Sequence, residues 1–413
     1  MEFPMRIKDI RVIPIYPKLA ERYQHRQVDL YGIDHRTIFR VEADNGLVGY
    51  GDQRVRPGGQ PAQSSVDPLV GRNPFDYINQ NLASGLSGAL YDLMGKYLEI
   101  PAYKLMGQKV RDQIPVAAWT RPASPEDFRG EILRAVDEGY TIFKMHTCTY
   151  HDVIEQTRLA EEVAPEGFQI HYDLNSNRSL ASALPLIKQL EKDHPIVGYI
   201  EDPLVKNDID GWHRLRNQVG LPIIMHGTPL GGVQELLQGI ADIYMLESGV
   251  GNTLTTGFAF GKGNIQTLIQ LTGGTLTKAF ALHMAAVLPT HTAHTINLDD
   301  QYAENEDVAT LIPVIAGSST VPQGPGLGVD VDEGALARLA ANQPIEIPKH
   351  VGILHMPGGH TFYGRSYISP TQLTGREEGT IRGIKSKLWL DDGTQEFDQV
   401  YQRVQKEGTF RAN

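Results

Sequence analysis

From Gln113 onward the sequence alternates short apolar runs with amphipathic helical segments, at a spacing of roughly 25 residues. The apolar runs are IPVAAW, TIFKMH, FQIHYDLN, IVGYIEDP, PIIMHGT, ADIYMLESG, TLTKAF and TAHTINLD. Strand–helix units of this number and length match a (β/α)₈ barrel. An open doubly wound sheet would normally carry a glycine-rich phosphate-binding sequence after its first strand, and none follows IPVAAW. The pattern therefore predicts a (β/α) TIM-type barrel.

The residues before this region predict a small α+β domain. Residues 7–16 have a strand pattern, and RTIFRVEADNGLVGYGD predicts a hairpin because Asn45-Gly46 supplies turn residues with positive φ. A helical pattern follows over residues 76–106 and is broken at Pro101. We predict domains at 1–112 and 113–325, then a C-terminal segment, 326–413, with a helix in VDEGALARLAANQ and a strand-and-loop tail of unassigned role.

Composition limits the partners that the chain can have. The net charge of −11 argues against nucleic acid or an anionic membrane as a partner. Cys148 is the only cysteine, which excludes an intrachain disulfide and favours a cytoplasmic location. No apolar signal region and no run approaching ~18 apolar residues is present, so we expect neither export nor a membrane span. If the substrate is an acid, the site needs local positive charge from Lys, Arg or a metal.

Several segments over about residues 5–340 resemble the mandelate racemase and muconate lactonizing enzyme branch of the enolase superfamily. They are DLMGKYLEIPAYKLMGQKVRDQIPV, GYTIFKMH, HYDLN, YIEDP and QGPGLGVDVDEGALARL, in the order and at the spacing of that family. The resemblance implies that the first domain caps the barrel, that the C-terminal segment returns to the cap, and that the protein is a homo-oligomer.

The same resemblance implies a magnesium site at the carboxyl ends of the barrel strands, where activity resides in this architecture. Asp173 in HYDLN and Glu201 in YIEDP would be ligands, with Asn175 and Asp202 orienting them. The alternative is that both carboxylates cap helices or pair with Arg. The third family carboxylate is replaced by Thr228, so the metal either binds weakly or is helped by His226, which could instead be a packed barrel histidine.

The proton-transfer groups depart from the family as well. Lys144 and His146 replace the Lys-x-Lys pair of the second strand and share one face, since residues i and i+2 of a strand do so. A neighbouring cation lowers the pKa of a base, which favours neutral His146 as the base. Alternatively, Lys144 binds a substrate carboxylate and His146 forms a wall. Glu247 and Lys278 stand about where the family has an acid/base dyad, and an ordinary ion pair is the alternative.

Two loops of the first domain would close over the site and set its specificity. Their basic residues suit a hydroxylated carboxylate, because Arg binds carboxylates bidentately. A solvated loop is the alternative for each of them. The loop candidates are Arg22, His25, Arg26 and Arg54. In the eighth-strand region, the resemblance implies that Glu304 hydrogen-bonds the enediolate, and a solvated acidic loop is the alternative. His283, His291 and His294 match no zinc spacing, and we interpret them as structural.

The resulting functional expectation is a sugar-acid dehydratase that abstracts the proton α to a carboxylate. Two alternatives stay open: a racemase or epimerase of a hydroxy acid, and a carboxylate-binding relative with altered chemistry.

Overall fold

The computed structural model describes residues 5–247, 249–374 and 381–412. The strands in these ranges are β1 Ile7–Ile15, β2 Arg36–Ala43, β3 Val48–Arg54, β4 Gln113–Thr120, β5 Ile142–His146, β6 Gln169–Asp173, β7 Val197–Glu201, β8 Ile223–His226, β9 Ile243–Leu246, β10 Gln266–Ile269, β11 Thr295–Ile296, β12 Ser318–Thr320, β13 His350–Met356, β14 His360–Gly364, β15 Lys385–Leu390 and β16 Phe410–Arg411. The helices are α1 Ser84–Tyr97, α2 Pro125–Asp137, α3 Val153–Glu161, α4 Leu180–Asp193, α5 Ile209–Arg216, α6 Val233–Gln238, α7 Val250–Lys262, α8 Thr275–Val287, α9 Glu333–Ala341, α10 Pro370–Thr374 and α11 Gln395–Glu407.

The chain divides into two compact units. The first unit comprises Met1–Trp119 and His226–Ile345, and the second comprises Thr120–Met225 and Glu346–Asn413. The domain limits predicted from the sequence stay a prediction.

The first unit contains the antiparallel sheet β1–β2–β3 and the helix α1, which packs on β3. The predicted hairpin joins β2 to β3, and Gly46 in its turn has a φ of 84°. A glycine is required at position 51 because a Cβ there would overlap the carbonyl oxygen of Gly85 in α1. Helix α1 ends at Tyr97, before Pro101.

In the described part of the chain, the rest of the sheet structure in the first unit consists of two parallel pairs and one short antiparallel pair. Strand β10 pairs with β9 and β11 pairs with β4, while the short β12 runs antiparallel to β4. The predicted seventh strand, TLTKAF, is wrong: Thr275 begins helix α8, and the strand is β10, nine residues earlier in the chain. Every residue of α8 is buried, so apolar side chains occur on all of its faces and its sequence lacks a clear helical period.

The second unit contains the parallel strands β5, β6 and β7 and the part of β8 up to Met225, in chain order. In this register His146 lies beside Asp173, and Asp173 lies beside Glu201. Helix α2 begins as predicted, because the Ser124 side chain accepts a hydrogen bond from the backbone of Asp127 and Pro125 occupies the first turn. The carboxyl ends of three adjacent strands therefore present His146, Asp173 and Glu201 side by side.

The C-terminal part of the second unit is a small sheet with strand order β15–β13–β14–β16. Helix α11 packs on this sheet, and Phe397 and Val404 from the helix form a buried cluster with Val351. The sequence predicted only strands and loops here and missed α11, whose amphipathic pattern is clear once its Thr394 N-cap is recognised.

Candidate active site

Lys144 on β5 lies between two carboxylates of the neighbouring strands. Its Nζ is 2.6 Å from Oε2 of Glu201 and 3.3 Å from Oδ2 of Asp173, and its side chain is 0% exposed. Burial alone would lower the pKa of Lys144, but attraction to Glu201 and Asp173 outweighs it and raises the pKa above the usual range. The lysine is therefore a fixed cation near neutral pH.

His171 on β6 is a site residue that the sequence reasoning missed. Its Nε2 lies 2.7 Å from Oε2 of Glu201, and both side chains are fully buried. Burial lowers the pKa of His171, which favours the neutral ring beside the carboxylate. The signal was available in the sequence, because His171 precedes Asp173 by two residues and thus shares its face of β6.

The tautomer of His146 follows from its contact with Asn175. The amide nitrogen Nδ2 of Asn175 donates to the carbonyl oxygens of Thr147, at 3.2 Å, and Asp173, at 3.3 Å. These bonds turn the amide oxygen Oδ1 toward Nδ1 of His146, 2.8 Å away. Because Oδ1 can only accept, Nδ1 carries the proton and the lone pair is on Nε2. Burial and, secondarily, Lys144 lower the pKa of His146, which favours this neutral form.

Left-handed backbone conformations occur just beyond the strand ends. Asn175, Ser176 and Asp202 have φ values of 53°, 54° and 43°. The Ser176 N–H donates to the carbonyl oxygen of Asp202 at 2.8 Å, which joins the two turns. Strained residues of this kind persist where the surrounding structure holds them in place, often at functional sites. The Asp202 carboxylate lies 3.3 Å from Nζ of Lys206.

Asp173 and Glu201 are suitable ligands for a divalent cation. Their oxygens Oδ2 and Oε2 converge on a single ammonium group, so the position between them already accommodates positive charge. Carboxylate oxygens are also the ligands that Mg²⁺ prefers. A bound ion would share these carboxylates with Lys144.

In the first unit, His226 at the end of β8 contacts Glu247, which follows β9. Nε2 of His226 lies 2.8 Å from Oε2 of Glu247, and the side chains are 18% and 53% exposed. A histidine held by a carboxylate is a typical acid/base pair. Thr228 lies two residues beyond His226, and its carbonyl oxygen accepts a hydrogen bond from Gly231.

The structure does not pair Glu247 with Lys278. Lys278 is buried in α8, where its Nζ donates to Oδ2 of Asp299 at 2.9 Å and to the carbonyl oxygen of Ile312 at 3.0 Å. The expectation of this pair relied on TLTKAF being a strand. Since β10 ends at Ile269, Lys278 lies on a helix rather than at a strand end.

The basic residues of the predicted specificity loops occupy different environments. Arg26 is buried and 3.4 Å from Asp29, whereas His25 is exposed. Arg22 donates to the carbonyl oxygen of Asp300. Arg54, at the end of β3, is half-buried, and burial lowers the pKa of its guanidinium.

The acidic candidate Glu304 is exposed and lines a cleft of about 590 Å³ in the first unit. The predicted structural histidines His283 and His291 are fully buried, with Nε2 bonded to the carbonyl oxygen of Leu327 and to the N–H of Ile269, respectively. His294 is buried as well.

A family comparison places this arrangement in a known class. The model of the enolase C-terminal domain-like family matches residues 127–335, just over half of the chain. The chain therefore belongs to the enolase superfamily, in its mandelate racemase and muconate lactonizing enzyme branch. This confirms the predicted fold class, a (β/α) barrel with an N-terminal α+β capping domain.

Among curated relatives, the chain is 27% identical over 229 residues to D-galactonate dehydratase of Verminephrobacter eiseniae. It is 25% identical over 229 residues to D-galactonate dehydratase of Pectobacterium atrosepticum. Each alignment covers 48% of this chain and 59% of the relative, so the chain spans less than two thirds of these enzymes.

Solved structures share the fold at lower identity. An enolase from Pseudomonas fluorescens, crystallised with magnesium, potassium and tartrate, is 19% identical, with a TM-score of 0.67, over 81% of this chain and 92% of that one. The N-succinyl Arg/Lys racemase of Bacillus cereus is 19% identical, with a TM-score of 0.67, over 82% and 98% of the respective chains. Within the described ranges, every helix is too short or too polar to cross a membrane.

Proposed function

We propose that this protein is an acid-sugar dehydratase that removes the proton α to the substrate carboxylate. The observation that carries the proposal is the position of His146 on β5, beside the buried group of Lys144, Asp173 and Glu201. Its Nδ1–H donates a hydrogen bond to Oδ1 of Asn175, which leaves the lone pair on Nε2. The likeness to two D-galactonate dehydratases supports the same class of substrate.

In this mechanism His146 accepts the C2 proton on Nε2, and the electron pair of the C–H bond passes into an enediolate. An imidazole is too weak a base to do this unless the developing negative charge is stabilised. Mg²⁺ held by Asp173 and Glu201 would supply a Lewis acid for the carboxylate oxygens. Lys144 holds both ligand carboxylates in place through its two ion pairs.

Dehydration follows when the C3–O bond breaks. The enediolate electrons form the C2–C3 double bond, the 3-hydroxyl takes a proton and leaves as water, and the resulting enol becomes a 2-keto-3-deoxy acid. The imidazolium formed on His146 in the first step is our candidate for the group that gives this proton. Lys278, the acid expected from the sequence, is bound to Asp299 instead.

The test is to incubate a panel of six-carbon and five-carbon sugar acids with the protein and Mg²⁺ in D₂O. The expected result is a 2-keto-3-deoxy acid from at least one substrate. Deuterium at C2 with the hydroxyls retained would instead support an epimerase. Binding of an acid without exchange or product would support the altered carboxylate-binding relative.

A further inference from the structure

Within the C-terminal segment, residues 346–374 and 381–412 lie outside the part of the chain that matches the family, yet they belong to the same compact unit as Lys144 and His146. They form the sheet β15–β13–β14–β16 with helix α11 packed on it. The contacts of this C-terminal segment with the rest of its unit indicate what it does there.

The C-terminal segment holds loop 147–152, which leaves β5 directly after His146, by polar contacts at two points. The hydroxyl of Thr149 lies 2.8 Å from the hydroxyl of Ser369. Farther along the loop, Oδ2 of Asp152 accepts hydrogen bonds from Nε of Arg382, at 2.8 Å, and from the backbone of Gly383, at 3.1 Å. The other oxygen of Asp152 caps helix α3, so this carboxylate joins the segment to the start of the helix.

An aromatic contact holds the middle of the loop. The ring of Tyr150 stacks on that of Tyr367, with centroids 4.5 Å apart and planes 9° from parallel. Tyr150 also packs against the buried cluster of Leu354, Ile368 and Ile384 in the C-terminal segment. Aromatic pairs of this geometry contribute more than the burial of their area alone, so Tyr150 anchors the loop to the segment.

The beginning of loop 147–152 is bonded to the groups that orient the proposed base. The backbone N–H and the hydroxyl of Thr147 donate to the carbonyl oxygen of Asp173, at 2.8 and 3.1 Å. In return, the carbonyl oxygen of Thr147 accepts from Nδ2 of Asn175, whose Oδ1 faces His146. A shift of this loop would thus move Asn175 and, through it, the imidazole.

We propose that residues 346–374 and 381–412 of the C-terminal segment are a positioning element of the active site, which holds loop 147–152 so that Asn175 keeps His146 in its proton-accepting orientation. Tyr367 and Arg382 are the positioning residues. The inference rests on the proposed function for its kinetic effect, whereas its structural effect on the loop is independent of any substrate.

The kinetic experiment compares the double variant Tyr367→Ala/Arg382→Ala with a matched control, Tyr363→Ala. Tyr363→Ala also removes an aromatic contact, since the Tyr363 ring lies 5.6 Å from that of Phe410. Tyr363 packs on the buried cluster of Val351, Phe397 and Val404, which lies within the small sheet and helix α11. With the substrate found in the acid panel, the double variant should lose about 10- to 100-fold in kcat and keep KM within about threefold, because small misplacements of a base have effects of this size. The control variant should retain its kcat even if its melting temperature falls as much as that of the double variant.

Conservative replacements and hydrogen exchange complete the test. Tyr367→Phe and Arg382→Lys should restore most of kcat, as they keep the stacked ring and the cation. Backbone amides of 147–152 and 173–176 should exchange at least about tenfold faster in the double variant than in the control. If the parent turns over no acid, the proposed function fails and the exchange measurement alone decides. Faster exchange confined to 346–412, or an equal loss of kcat in the control, would overturn the inference.

Discussion

Lys144 and Glu201 form a 2.6 Å ion pair in which both side chains are 0% exposed. Such a pair stabilises little by itself, because the cost of removing two charges from water offsets their attraction. Removing one partner, however, would leave the other charge buried and uncompensated. The pair therefore ties the electrostatics of the candidate site to the stability of the second unit.

Removing either charge alone should destabilise the protein strongly. We expect Lys144→Met and Glu201→Gln each to lower the free energy of unfolding by about 3–5 kcal/mol, since each leaves an uncompensated buried charge. The double variant should be less destabilised than the sum of the two. Urea unfolding of the four proteins measures this coupling, with the more exposed Lys206→Met as the control. Additive losses would show that the two charges do not depend on each other.

Replacing the proposed base should stop the abstraction of the C2 proton. His146→Asn keeps a polar side chain of similar size but cannot accept the proton, so formation of the 2-keto-3-deoxy acid should fall below detection by NMR. Asn175→Leu should retain the imidazole but remove the acceptor that keeps the proton on Nδ1. We expect kcat to fall by about 100-fold or more, because a catalytic histidine in the wrong tautomer loses activity on this scale. Full turnover in the His146→Asn variant would move the role to Lys144.

Two substitutions at the proposed metal site should change the affinity for Mg²⁺ in opposite directions. Asp173→Asn removes a ligand and should weaken Mg²⁺ binding by at least about tenfold, whereas Lys144→Met removes a competing cation and should strengthen it, provided the variant folds. Isothermal titration with Mg²⁺ alone measures both effects without a substrate. Glu155→Gln, at an exposed carboxylate of the same unit, should leave the affinity unchanged. Equal affinity in the parent and the Asp173→Asn variant would place the metal elsewhere.

In the first unit, Arg36 is fully buried between two carboxylates. Its Nη2 lies 2.7 Å from both Asp52 and Asp307, and the Asp307 carboxylate also accepts from the backbone of Thr275 at the start of α8. We expect Arg36→Met to lower the free energy of unfolding by about 3–5 kcal/mol. On the same strand, the more exposed Arg40 offers a control, and Arg40→Met should cost about 1 kcal/mol or less.

Two buried histidines should make stability fall in mild acid. Burial lowers the pKa of His283 to about 4 and that of His291 to about 3. Because both values are below that of the unfolded chain, about 6.5, the unfolded state binds more protons as the pH falls. Stability is thus complete above about pH 7 and is lost toward pH 4. His283→Gln should recover about 2–3 kcal/mol of the loss between pH 7 and 4.5, measured by urea unfolding. An unchanged pH profile would contradict the burial of a neutral ring.

Local chemistry in the sequence was sufficient for many elements of the fold. Asn45-Gly46 determined a hairpin turn because few residues tolerate positive φ, and Ser124-Pro125 determined the start of α2 because it satisfies the first-turn amides. The alternation along β5 likewise put Lys144 and His146 on one face. These features depend on neighbours in the chain, which a sequence displays directly.

Tertiary structure alone decided the elements and partners that depend on distant residues. Helix α8 is buried on every side, so its sequence lacks the amphipathic period and resembles a buried strand, which is why TLTKAF was misassigned. The mistaken prediction that Lys278 pairs with Glu247 followed from that error. The contacts of Tyr150 with Tyr367 and of Asp152 with Arg382 join residues more than 200 positions apart, and only the folded chain brings them together, because no local pattern encodes a contact between separate segments.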